Sequence, residues 1–101
     1  MRSFLHALCA LALFSQDSGA EDWPQWRGPR GDGTSDDRNI PIQWDGASGK
    51  NIVWKTRVPG SGYSSPIVVD GRVFVTSCDQ NDQTRMLHCI DRQDGKVLWS
   101  R

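Results

Sequence analysis

The second half of the chain is divided into short apolar runs by turn residues, and this punctuation limits the possible folds more than any other feature. Ile52-Val53-Trp54-Lys55-Thr56-Arg57-Val58 is β-branched and aromatic, and Pro59-Gly60 stops it. Pro66-Ile67-Val68-Val69 ends at Asp70-Gly71, a strong two-residue hairpin signal. Arg72-Val73-Phe74-Val75-Thr76-Ser77 returns from that turn. After a polar loop at 79–85, Met86-Leu87-His88-Cys89-Ile90 reads as a third strand, Asp91-Arg92-Gln93-Asp94-Gly95 as a turn, and Lys96-Val97-Leu98-Trp99-Ser100 as a fourth strand. No helix is expected outside the first residues. Pairing Ser77 with Leu87 would set Val75 opposite Cys89 and place Val73, Val75 and Leu87 on one face, with Phe74, Met86 and Ile90 on the other. In that register Cys78 and Cys89 point to opposite faces, since side chains alternate along a strand, so two free thiols are expected.

A four-stranded antiparallel meander with apolar residues on both faces has to be covered on both sides, as the blades of a β-propeller are by their neighbours. A short internal repeat agrees: Ile52-Val53-Trp54-Lys55-Thr56 is similar to Val97-Leu98-Trp99-Ser100-Arg101, with the tryptophans 45 positions apart, within the ~40–50 residue period of blade repeats. The expected fold is therefore all-β, a fragment of a β-propeller: one four-stranded antiparallel blade over 66–99 and a preceding strand at 52–58. Because Trp54 corresponds to Trp99 of the outermost strand, 52–58 is expected to be the outermost strand of another blade. It would close the ring by joining the two chain ends.

Three segments precede or make up this unit. Residues 1–20 read as a signal peptide: Arg2 supplies a positive start, an apolar run from Phe4 to Phe14 is too short to span a bilayer, and Ser18-Gly19-Ala20 supplies a small-residue cleavage site. His6-Ala7-Leu8 lacks the small residue expected before a lipidated cysteine, which argues against an anchor on Cys9. Residues 21–50 are an irregular leader rich in Gly, Pro and Trp, in which Trp23, Trp26 and Trp44 are expected to dock onto something. Residues 51–101 hold the first blade with its preceding strand. The mature chain is expected to be exported, periplasmic or secreted, with no membrane span. Twelve basic and twelve acidic side chains balance, which argues against a nucleic-acid partner.

Ser64-Ser65-Pro66-Ile67-Val68-Val69-Asp70-Gly71-Arg72-Val73-Phe74-Val75, followed by Leu87-His88-Cys89-Ile90-Asp91-Arg92-Gln93-Asp94-Gly95-Lys96-Val97-Leu98-Trp99, resembles the pyrroloquinoline-quinone-type β-propeller repeat. Asp22-Trp23-Pro24-Gln25-Trp26-Arg27-Gly28-Pro29 resembles the start of exported bacterial members. The resemblance implies that Trp54 and Trp99 are docking pegs, each packing on the turn glycine of an adjacent blade, with Gly95 as such a glycine. The chain departs from the repeat in having Asp94 where Thr is usual and in its longer loop at 79–85.

The resemblance spans two functional classes. One is an exported, non-catalytic propeller acting as a binding or assembly scaffold, with further blades and other envelope or secreted proteins as partners and no cofactor in these residues. The other is the N-terminal part of a quinone-dependent alcohol or sugar dehydrogenase, which would use pyrroloquinoline quinone and calcium. Adjacent cysteines, a mark of such dehydrogenases, do not occur in this sequence. No catalytic, cofactor or metal residue is assigned. His88 reads as a packed or hydrogen-bonded histidine, and a triad of Ser64 or Ser65 with His88 and Asp91 lacks a nucleophile-elbow setting. Residues 28–35 have no Lys for a phosphate loop, and Arg30-Gly31-Asp32, although the cell-adhesion tripeptide, reads as a turn. A calcium loop starting at Asp79 fails at Thr84 and Ile90, where Gly and Glu are needed.

Overall fold

The computed structural model describes residues 19–101. The signal-peptide reading thus lies, except for Gly19 and Ala20, outside the described residues. Asp70 and Gly71 both take positive φ, 51° and 74°, the combination that lets a two-residue turn follow the twist of its strands. They join β1 (Ile67–Val69) to β2 (Arg72–Cys78), with Val69 opposite Arg72 and Ile67 opposite Phe74. β3 (Arg85–Asp91) runs back along all of β2, and β4 (Val97–Ser100) completes an antiparallel sheet in the order β1-β2-β3-β4. This is the expected all-β meander, and no helix occurs among the described residues.

The register of β2 on β3 differs by one residue from the expectation. The Asp79 amide donates to the Thr84 carbonyl, and the carboxylates of Asp79 and Asp82 accept the amides of Asn81 and Thr84, each bond at 2.9 Å. The loop closed this way sets Ser77 opposite Met86, Val75 opposite His88 and Phe74 opposite Cys89. A slip of one residue exchanges the faces. Met86 and Ile90 therefore join Val73 and Val75, while Leu87 joins Phe74. Cys78 and Cys89 share a face, contrary to the expected register. They are free thiols, kept apart by four residues of strand, about 13 Å.

The interior is thin. Cys89 and Ile90 are the buried apolar residues, joined by buried His88 and Ser77, whereas Leu87, Val97, Leu98 and Trp99 are exposed. Both faces of the sheet thus retain uncovered apolar area. At the β1 edge, Trp23 exchanges two main-chain hydrogen bonds with Val68, at 2.7 and 2.8 Å. Past the other end of β1, Ser61 exchanges two with Cys78, and the Ser64 hydroxyl accepts the Thr76 amide in place of a main-chain carbonyl.

Residues 52–58, expected as a strand, form no ladder and no strand among the described residues, and they lie outside this sheet. Ile52, Trp54, Thr56 and Val58 are half-buried, alternating with exposed Val53, Lys55 and Arg57, the period of a strand that rests on a surface. Of the three leader tryptophans, Trp23 docks, while Trp26 and Trp44 are exposed.

Candidate docking site

What fastens residues 52–58 to the blade is a turn at the end of β3. The Asp91 amide donates to the Lys96 carbonyl at 2.8 Å, and the Asp91 carbonyl accepts the Gly95 amide at 2.9 Å. Asp91 Oδ1 also accepts the amides of Gln93 and Asp94, at 2.7 and 3.4 Å, and Asp94 Oδ1 accepts the Lys96 amide at 2.9 Å. So closed, the turn holds Gly95 at φ 75°, a conformation natural to glycine, and leaves a face with no side chain. Trp54 occupies that face. A β-carbon on Gly95 would stand 2.6 Å from Cδ2 of the indole. The indole N–H donates to the Arg92 carbonyl at 2.7 Å, and the Thr56 hydroxyl donates to the Gly95 carbonyl. The ring is covered and its one polar group is satisfied, which a partly buried Trp requires. The expected pairing of Trp54 as peg with Gly95 as turn glycine is present.

The same device recurs within the leader. The Trp23 ring covers Gly28, whose φ is 76°, and its Nε1–H donates to the Trp26 carbonyl at 3.3 Å. Asp22 and Ala20 tie the leader to the blade: Asp22 Oδ2 accepts the Asp70 amide at 3.1 Å, and Arg92 donates to the Ala20 carbonyl at 2.7 Å.

A second turn, missed in the sequence, repeats the first bond for bond. The Asp45 amide donates to the Lys50 carbonyl at 3.1 Å, and the Asp45 carbonyl accepts the Gly49 amide at 2.9 Å. The Asp45 carboxylate accepts the amides of Ala47 and Ser48, at 3.1 and 3.2 Å, and the Ser48 hydroxyl accepts the Lys50 amide at 3.4 Å. Hydrogen bonding from the Ser48 side chain, then from the Ala47 and Ser48 amides, holds the Asp45 carboxyl below its ordinary value. The signal was Asp, three residues, Gly and Lys, present at 45–50 and again at 91–96. The tryptophans that follow are out of step with it by one residue, which hid it.

His88 is 1% exposed. Its Nε2 lies 2.9 Å from Ser77 Oγ and its Nδ1 2.7 Å from Ser100 Oγ. The triad is therefore not assembled: Ser64 serves Thr76, Asp91 serves its own turn, and the histidine's partners are Ser100 and Ser77, the latter placed on the other face by the expected register. Arg30 is braced rather than presented, with Nη2 2.7 Å from Glu21 and Nη1 3.3 Å from Asp36. The hydrogen bond from Arg30 holds the Glu21 carboxyl below its ordinary value. Among the described residues no group of His, Cys, Asp and Glu is placed to hold a metal ion. No helix among them is long and apolar enough to cross a membrane.

Comparison with curated proteins and with solved structures gives no match. A family model described as outer membrane protein assembly factor BamB matches residues 10–101. The span includes the peg Trp54, the turn glycine Gly95 and all four strands of the blade. The chain belongs to this family of pyrroloquinoline-quinone-type β-propeller repeat proteins.

Proposed function

We propose that the chain is an exported, non-catalytic propeller module that acts as a binding or assembly scaffold in the cell envelope and is completed by further blades. The observation that carries this reading is the seat of Trp54 on Gly95. It fastens the segment 52–58 to a blade with which that segment shares no ladder, as the join between successive blades of a ring requires. In this reading 1–20 is a signal peptide, 21–50 a leader and 51–101 a blade with its preceding strand. Residues 52–58 are then the outermost strand of a blade whose inner strands come from elsewhere. The family's description as an outer-membrane assembly factor supports a scaffold. So does His88, whose two ring nitrogens are both taken up by serine hydroxyls inside the sheet.

Export and catalysis have separate tests. Mass spectrometry of periplasmic or secreted material is expected to find a mature N-terminus at Glu21; intact Met1 would remove the export reading. Adding pyrroloquinoline quinone and calcium, with a dye acceptor and alcohols or sugars, is expected to give no turnover. Quinone-dependent dye reduction would replace the scaffold with a dehydrogenase.

A further inference from the structure

We infer that Asp37 is a preformed receptor for the α-ammonium group created when the chain is cut between Ala20 and Glu21, so that processing itself fastens the new chain start. This rests on the signal-peptide reading of 1–20 and adds what becomes of the cut end. Two independent observations meet at one bond. The sequence places a small-residue cleavage site at Ser18-Gly19-Ala20. In the folded chain both polar groups of the Ala20–Glu21 peptide link are already engaged. The Ala20 carbonyl accepts Arg92 at 2.7 Å, and the Glu21 amide donates to Asp37 Oδ1 at 3.0 Å.

Asp37 is held in place for this contact. Its own amide donates to the Ser35 hydroxyl at 3.1 Å, and the neighbouring Asp36 amide donates to the Glu21 carboxylate at 3.3 Å. Glu21 and residues 36–37 thus exchange hydrogen bonds in both directions, across 15 and 16 positions of sequence. Both Glu21 and Asp37 are half-buried. Hydrolysis breaks the C–N bond of the link. Water supplies a hydroxyl to Ala20, whose carboxyl group leaves with the leader, and a proton to the Glu21 nitrogen. An α-amine of ordinary pKa, ~7.7–8.0, takes a further proton from solvent at neutral pH. A neutral N–H facing a carboxylate thereby becomes a cation facing it, and Coulomb attraction is added to a contact whose geometry is already set. The other charged groups bonded around the link are paired: Glu21 with Arg30 at 2.7 Å, Arg30 with Asp36 at 3.3 Å, and Asp22 with Arg92 at 3.8 Å. Asp37 takes part in no ion pair among the described residues. On cleavage Arg92 loses the Ala20 carbonyl and keeps Asp22, while Asp37 gains its counter-ion.

The pair's stabilisation is complete below the ordinary α-amine range and is lost as pH rises through the raised value. The test follows acylation of the Glu21 α-amine by an activated ester as a function of pH, read by mass spectrometry of the N-terminal peptide. It compares the exported chain beginning at Glu21 with its Asp37→Asn and Asp37→Glu variants. The wild type is expected to titrate about 0.5 pH unit above Asp37→Asn, as a partly exposed ion pair allows, and so to react about threefold more slowly at neutral pH. Asp37→Glu keeps the charge and separates its loss from a loss of fold: it too is expected to titrate above Asp37→Asn. Equal midpoints in the wild type and Asp37→Asn, or an Asp37→Glu midpoint no higher than that of Asp37→Asn, would overturn the inference. Where exported material retains Met1, a chain freed to begin at Glu21 by a tag protease gives the same reading of Asp37. Failure of the export reading and failure of the receptor are thus told apart.

Discussion

At Gly95 a single missing side chain decides whether the segment 52–58 is attached. Gly95→Val adds a β-carbon where the Trp54 ring lies and places a branched residue at positive φ, which alone costs about 1–2 kcal/mol. Trp54 is then expected to leave its seat, read as increased acrylamide quenching of tryptophan fluorescence; unchanged quenching would mean that the indole is held by something else. His88→Ala leaves the buried Ser77 hydroxyl without its partner, at a cost of about 1–3 kcal/mol. It is expected to speed hydrogen–deuterium exchange of the β2 and β3 amides around position 88; unchanged protection would mean that the histidine does not brace the sheet. Asp45 supplies a pH dependence. Its folded-state pKa is depressed below the ordinary 3.8, so its stabilisation of the turn is complete above that value and is lost as pH falls through the folded one. An NMR titration following the Ala47 and Ser48 amides is expected to show a midpoint below 3.8. A midpoint at or above it would mean that the carboxylate does not brace the turn.

Among the elements, legibility followed local chemistry. The hairpin at Asp70-Gly71 could be read because two adjacent residues supply both positive φ values. The pairing of Trp54 with Gly95 was legible only through the resemblance to the propeller repeat; the positive φ of Gly95, 75°, then explains it by leaving a flat place for the ring. The register of β2 on β3 could not, because it depends on how the polar loop from Asp79 folds back through its own carboxylates, and alternation alone does not distinguish two registers one residue apart. That slip also concealed the partners of His88: the expected register puts Ser77 on the opposite face. The turn at 45–50 was hidden by one extra residue, Asn51, between Lys50 and the segment that carries Trp54. The corrected register has a measurable outcome at the thiols. Cys89 is fully buried and Cys78 only partly so, so in the segment from Glu21 onward, which lacks Cys9, a native thiol assay is expected to count one fast-reacting group and a denatured assay two. Equal native reactivity would contradict the arrangement of the sheet.

On the scale of the whole molecule, the sheet presents two apolar faces and very little interior, and repeat units of this kind draw stability from their neighbours. The isolated, dilute monomer is therefore expected to lack a sharp thermal transition. A cooperative transition in a monomeric sample, independent of concentration, would show that one blade suffices. The seat of Trp54 also bears on biosynthesis. The hydrogen bond from Trp54 to Arg92 spans 38 positions, so a ribosome makes the indole well before the carbonyl and glycine that will receive it. At ~5–20 residues per second the ring waits about 2–8 s. Throughout that interval the seat of the ring does not yet exist, and a chaperone or translocation machinery that shields the indole would act before the blade does.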